Sequence, residues 1–140
     1  MRQEMNSYPL FYVNIFARDL LALSDYYQKL FELEEIIESR SEIYRGYSTG
    51  GCCLGFNSEE AYELLSLTNS NTQTDSVFAT FAASNREDVD ARCLYAVDLG
   101  GTLVKSPFET YYGWYQGVLR DPEGNPFRIN YTPITDNTAS

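Results

Sequence analysis

Apolar positions change period several times along the chain, and each change marks an element. Residues 10–17 (LFYVNIFA) form a short aromatic and β-branched run between polar neighbours, which predicts a buried strand. Asp19 then suits a helix cap, and Leu20, Leu23, Tyr27, Leu30 and Phe31 recur at helical spacing. Three strand-like runs follow over residues 34–39, 42–48 and 52–57, with Gly50-Gly51 supplying the turn between the last two. Ser58, followed by Glu59 and Glu60, predicts the capped start of a short helix through Leu65. Residues 68–75 (TNSNTQTD) have the composition of a linker.

The order then begins again. Residues 77–83 (VFATFAA) predict a strand, and Asn85 with Asp88 an N-cap pair related to the capping box. Val89, Cys93, Leu94 and Val97 supply a helical stripe that Gly100-Gly101 stops. Strands are expected near residues 102–105, 112–120 and 126–131, and the tail over 133–140, without apolar anchors, is expected to fray. Residues 11–17 align with 77–83, and residues 51–57 with 124–130, at offsets of 66 and 73. A strand-helix-three-strand unit used twice is the economical reading.

Composition narrows the chemistry. A chain of 140 residues buries roughly 68–70% of its unfolded surface, enough for a core without staples. With 44% apolar and 21% charged residues it reads as globular. It contains no histidine, which removes Ser-His-Asp triads, Cys-His pairs and His-ligated metals together. A net charge of −10 repels phosphate backbones and anionic headgroups, so neither nucleic acid nor membrane is an expected partner. The same charge draws cations, or serves only solubility. Cys52, Cys53 and Cys93 have no metal-like spacing, and residues 1–10 show no export signal; a cytoplasmic setting is expected. No stretch approaches the ~18 apolar residues that a membrane span needs.

The sharpest motif is the hairpin of residues 113–126. Asp121 suits its first turn position, Pro122 presets φ at the second, and Gly124 accepts a left-handed conformation. The run R-D-P-E-G-N (120–125) before the last strand resembles the vicinal-oxygen-chelate superfamily of glyoxalase I, bleomycin-resistance proteins and extradiol dioxygenases. The opening strand, Asp19-Leu20, Tyr26-Tyr27, Gly100-Gly101 and Gly113 match it too, and the resemblance spans residues 8–132. It implies an α+β fold of two βαβββ modules in one chain, each a half-open curled sheet around a cleft. One glyoxalase-like domain results: module one over 8–58, a joint over 58–74 and module two over 75–132. It also implies a homodimer.

In the superfamily's metalloenzymes, His, Glu or Gln from the first and last strands of the modules chelate a metal that polarises vicinal substrate oxygens. Those positions fall here on Tyr12, Gly55, Phe78 and Arg128, and the flanking residues are no better ligands. No metal and no cofactor are therefore expected.

The aromatic content, 15%, points instead to a binding cleft. Alternation along a strand over 112–120 would put Tyr112, Trp114 and Gln116 on one face and Tyr111, Gly113, Tyr115 and Gly117 on the other. The Trp114 face is the favoured cleft wall; ordinary core or interface packing is the alternative. Tyr12 and Asn14, Phe78 and Thr80, and Arg128 and Asn130 share parity in their own strands and complete a set of aromatic walls with polar tips. Arg128 is suited to grip a carboxylate or phosphate, or else forms an internal ion pair. The expected ligand is small and aromatic, and cationic or zwitterionic. The acids at 34, 35 and 38 and at 59, 60 and 63 read as solvated surface.

Three functions compete. The first is a metal-independent binding protein that sequesters a drug, as bleomycin-resistance proteins do. The second is a glyoxalase-like lyase or isomerase, or a dioxygenase-related enzyme, with a metal-free site using Tyr12 or a cleft Glu as acid-base. The third is a module whose cleft is filled by its own side chains and whose partner is a protein.

Overall fold

Two sets of elements follow one another in the computed structural model, which describes residues 10–69, 75 and 77–133. The first set is β1 (Tyr12–Ala17), α1 (Leu20–Phe31), β2 (Glu34–Glu35), β3 (Tyr44–Ser48), β4 (Cys53–Ser58) and the short α2 (Glu60–Leu64). The second is β5 (Ala79–Ala82), α3 (Arg86–Asp98), β6 (Thr102–Glu109), β7 (Tyr115–Arg120) and β8 (Pro126–Tyr131). They form separate units, Met1–Asn69 and Ser70–Ser140.

Each unit holds a four-stranded mixed sheet that does not close, in the orders β1-β4-β3-β2 and β5-β8-β7-β6. The first pair of each order is parallel and the others are antiparallel. The fold is thus α+β, with two βαβββ modules. Asn14 faces Gly55 across the parallel pair of the first sheet, and Thr80 faces Arg128 across that of the second. These partners are related by the two offsets of the sequence repeat.

One helix covers one face of each sheet. In the first unit Tyr27 of α1 lies 5.4 Å from Phe56, which in turn meets Tyr47 at 5.9 Å, and all three are buried. In the second, Val89, Cys93 and Ala96 of α3 and Leu119, Phe127 and Ile129 of the sheet form the core. Each large side chain so buried contributes about 1.5–3 kcal/mol. Gly117 is required there, because a Cβ would lie 2.6 Å from Cys93 Sγ. Alternation then leaves Tyr12, Asn14, Tyr44 and Gly55 on the face of the first sheet that α1 does not cover, where Tyr62 of α2 stacks on Phe16 at 3.8 Å, and Thr80, Gln116, Arg128 and Asn130 on the face of the second that α3 does not cover.

Local signals act where the pattern placed them. Asp19 accepts from the Ala22 N–H at 3.1 Å, and Asn85 accepts from the Asp88 N–H at 2.8 Å while Asp88 accepts from the Ser84 N–H. Buried Asp121 accepts from the N–H groups of Glu123 (2.9 Å) and Asn125 (3.0 Å), and Gly124 takes φ +91°.

Other elements differ from expectation. Only Glu34–Glu35 of the 34–39 run is strand; Ile37–Ser39 is a 3-10 turn, because Ser39 and Arg40 donate their N–H groups back to Ile36 and Ile37. Ser58 ends β4 rather than capping α2, whose cap position, Glu59, makes no side-chain bond. In α3, Leu94 and Val97 are exposed, and the buried row runs through Ala96 instead. Strand β6 continues to Glu109 through two register shifts; it is an edge strand, where Pro107 deprives no neighbour of a donor. Strand β7 begins at Tyr115, not Tyr112. Residues 70–74 of the expected joint and 134–140 of the expected tail lie outside the described residues.

The Asp121 turn gives a direct stability prediction. Asp121→Ala strands two backbone donors in a tight hairpin and should cost about 2–4 kcal/mol in urea unfolding. Arg40→Ala, which removes a bidentate, half-exposed ion pair to Glu35, should cost clearly less than that.

Candidate functional site

Arg128 stands mid-strand in β8, which is paired on both sides, so two neighbours hold its backbone. Its side chain leaves on the face that α3 does not cover. There Nε donates to Thr80 Oγ1 at 2.7 Å and Nη1 donates to Gln116 Oε1 at 3.2 Å. The guanidinium carbon lies 5.1 Å from the Phe78 ring centroid and 5.7 Å from that of Trp114. Both are within the ~6 Å over which a ring face attracts a cation. Among the described residues no carboxylate is within ion-pair distance of Arg128. The internal ion pair that the sequence left open is not formed among the described residues.

Trp114 reaches this cluster from a turn rather than from strand alternation. The Thr110 N–H donates to the Trp114 carbonyl at 2.7 Å, and the Trp114 N–H donates to Thr110 Oγ1 at 2.9 Å. Gly113, at φ +93°, permits the turn. Alternation therefore does not set the faces of residues 111–114. It holds from Tyr115 onward: Tyr115 Oη donates to Asp90 of α3 at 2.7 Å, which raises the phenol's pKa, and Gly117 lies against Cys93. Tyr112 sits edge-on to Trp114 at 5.3 Å, and Tyr111, almost fully exposed, edge-on to Tyr112.

Asn130 lies opposite Gln116 in the β7–β8 ladder. Its Nδ2 donates to Thr132 Oγ1 at 2.8 Å, while its buried Oδ1 has no hydrogen-bond donor among the described residues. A buried acceptor left unmet costs about 1–3 kcal/mol.

The corresponding face of the first unit is neutral. Asn57 Nδ2 donates to Asn14 Oδ1 at 3.2 Å, and Tyr12 bonds Tyr44 through their phenols. Burial foremost, and then this bond, push the Tyr44 pKa well above that of a free phenol. Asn14 and Tyr44 together cover Gly55, where a Cβ would meet Asn14 Oδ1 first and would lie 2.5 Å from Tyr44 Oη.

The structure thus gathers Phe78, Thr80, Trp114, Gln116 and Arg128, with Tyr112 and Asn130 at the margins. Tyr12 and Asn14 belong to the first unit. Sequence reasoning missed Tyr44, Asn57 and Thr110; the Tyr44-x-Gly46 parity opposite Gly55 was the available sign for the first. A groove of about 630 Å³ between α3 and β6, lined by Leu94 and Val97 among others, contains none of the expected site residues.

The four positions where the resemblance puts metal ligands do not fit a metal. Gly55 is covered by a phenol, Phe78 carries a ring and Arg128 a positive charge. Among the described residues, no three His, Cys, Asp or Glu side chains group together as a metal site.

Residues 10–129 match the sequence profile of the Glyoxalase/Bleomycin resistance protein/Dioxygenase superfamily. The chain belongs to this superfamily. A glyoxalase/bleomycin resistance protein/dioxygenase family enzyme from Burkholderia phytofirmans PsJN is 48% identical, with a TM-score of 0.86 over 90% of this chain and all of that one. A glyoxalase-related enzyme from Fulvimarina pelagi (18% identity, TM-score 0.80, 93% of this chain and 94% of that one) shares the fold. So does a lactoylglutathione lyase from Agrobacterium tumefaciens (18% identity, TM-score 0.68, 89% and 94%). No curated protein sequence matches the chain. Within a glyoxalase-like module, the Tyr44–Gly55 contact makes a sharp test. Gly55→Ala should destabilise by about 1–3 kcal/mol in thermal or urea unfolding. Tyr44→Ala in the same chain should recover part of that loss, the non-additivity expected of two residues in contact.

Proposed function

We propose that this superfamily member is a metal-independent small-molecule-binding protein of the drug-sequestering, bleomycin-resistance kind. The observation that carries the reading is the Arg128 cluster: a guanidinium near both Phe78 and Trp114 and held, among the described residues, by the neutral groups of Thr80 and Gln116. A half-exposed Phe78 and a partly buried Trp114 beside a fixed polar group are what a small planar ligand needs, because stacking adds about 0.5–1.5 kcal/mol beyond burial. The protein works as a homodimer, as the resemblance implies, and light scattering at micromolar concentration tests that state. No helix among the described residues is long and apolar enough to cross a membrane.

The alternative, a metal-free lyase or isomerase using Tyr12 or a cleft Glu, draws support only from the names of relatives. Tyr12 is bonded to Tyr44, and the carboxylates do not pair with Arg128.

Trp114 is the chain's only tryptophan, so its fluorescence reports this site alone. A panel of planar aromatic compounds should contain members that shift or quench it saturably. Trp114→Ala should weaken their binding, followed calorimetrically, by about tenfold or more, which is ~1.4 kcal/mol. A panel in which nothing binds, or a Trp114→Ala protein that binds every hit equally well, overturns the reading.

A further inference from the structure

We infer that the Arg128 cluster recognises a planar aromatic carboxylate, with the carboxylate on Nη2 of Arg128 and the ring against Trp114. This deepens the binding function proposed above and rests on it. Arg128 spends Nε on Thr80 and one Nη1 hydrogen on Gln116, and Nη2 makes no hydrogen bond among the described residues. The two bonds fix the plane of the fork while leaving donors on its outer edge, the geometry that a carboxylate meets through parallel N–H···O bonds.

The charge has no counter-ion among the described residues. In a chain with twenty Asp and Glu and ten Lys and Arg, Arg40, Arg86, Arg92 and Arg120 all pair with carboxylates, whereas Arg128 is held by a hydroxyl and an amide oxygen, as Arg45 is held by the Ser41 and Tyr44 carbonyls. Neutral partners orient the guanidinium without discharging it. The neighbouring rings exclude water from part of its surface, which strengthens its attraction for an anion.

The same arrangement selects against other ligands. A cationic compound stacked on Trp114 would lie beside a like charge, and the ring faces are already turned to Arg128. A phosphate dianion would bring a second negative charge into the field of a protein of net charge −10, which a monoanionic carboxylate does not.

Matched ligands test the inference on the intact protein. Benzoate and 2-naphthoate, their primary amides, the corresponding aryl-methylamines and phenyl phosphate are titrated by calorimetry. The acids should bind at least about tenfold more tightly than the amides, and the amines more weakly than either. Arg128→Met should abolish the preference for acids, their affinity falling by more than that of the amides; Arg128→Lys, which keeps the charge without the fork, should retain part of it. Melting curves check that both variants are folded, and the ligand series on the parent protein decides the matter if Arg128→Met does not fold. Amides or amines binding as tightly as acids would overturn the inference and leave the binding function standing. So would phenyl phosphate binding more tightly than benzoate, in favour of a phosphate ligand. Should no compound of any charge bind, the binding function itself fails as well.

Discussion

A positive charge held on a sheet face by neutral partners depends on strand register before it depends on side chains. The parallel β5–β8 pair sets Thr80 beside Arg128, and the antiparallel β7–β8 ladder brings Gln116 within reach of its other end. The same register turns Phe127 and Ile129 of β8 into the core under α3. A slip of one residue would exchange the faces, burying the guanidinium and exposing the aromatic ring. The hydrophobic core and the candidate site are therefore specified by one alignment. The bonds of Asp121 to the Glu123 and Asn125 N–H groups in the β7–β8 turn fix that alignment at its end.

The repeated architecture makes the difference between the units informative. At equivalent positions the first sheet carries Gly55 and the second Arg128, facing Asn14 and Thr80. In the first, loss of a side chain makes room for Tyr44, so phenols and amides satisfy one another. In the second, a long side chain reaches two rings with hydrogen-bonding capacity left over. One backbone plan thus supports a self-filled face and a face with an unspent charge, which is why superfamily membership alone does not give the function.

Much of this was legible in the sequence, because it rests on local chemistry. The caps at Asp19 and Asn85, the Asp121 turn and the limits of β8 follow from residue type and alternation. The parity of Thr80 and Arg128 was readable for the same reason. What failed depended on competition between local and long-range bonds. The 3-10 turn at Ile37–Ser39 forms because its N–H groups find carbonyls three residues back, and the turn at Thr110–Trp114 forms because a threonine hydroxyl competes with the ladder. Whether Arg128 meets a carboxylate is a question of three-dimensional neighbours, and twenty acids in the composition gave no answer. Tyr44 escaped notice because its role is defined by the absence of a side chain at Gly55, eleven residues away.

The central claim is that Arg128 is oriented by Thr80 and Gln116 and not by an internal carboxylate. Nuclear magnetic resonance of the arginine Nε–Hε groups measures this directly. The Arg128 Nε–Hε signal should exchange slowly with water in the parent protein and lose that protection in Thr80→Val. Its shift should stay constant between pH 7 and pH 4, since no neighbouring carboxylate titrates against it. A rapidly exchanging signal in the parent, or a shift that titrates in the range of Asp and Glu, would contradict the claim.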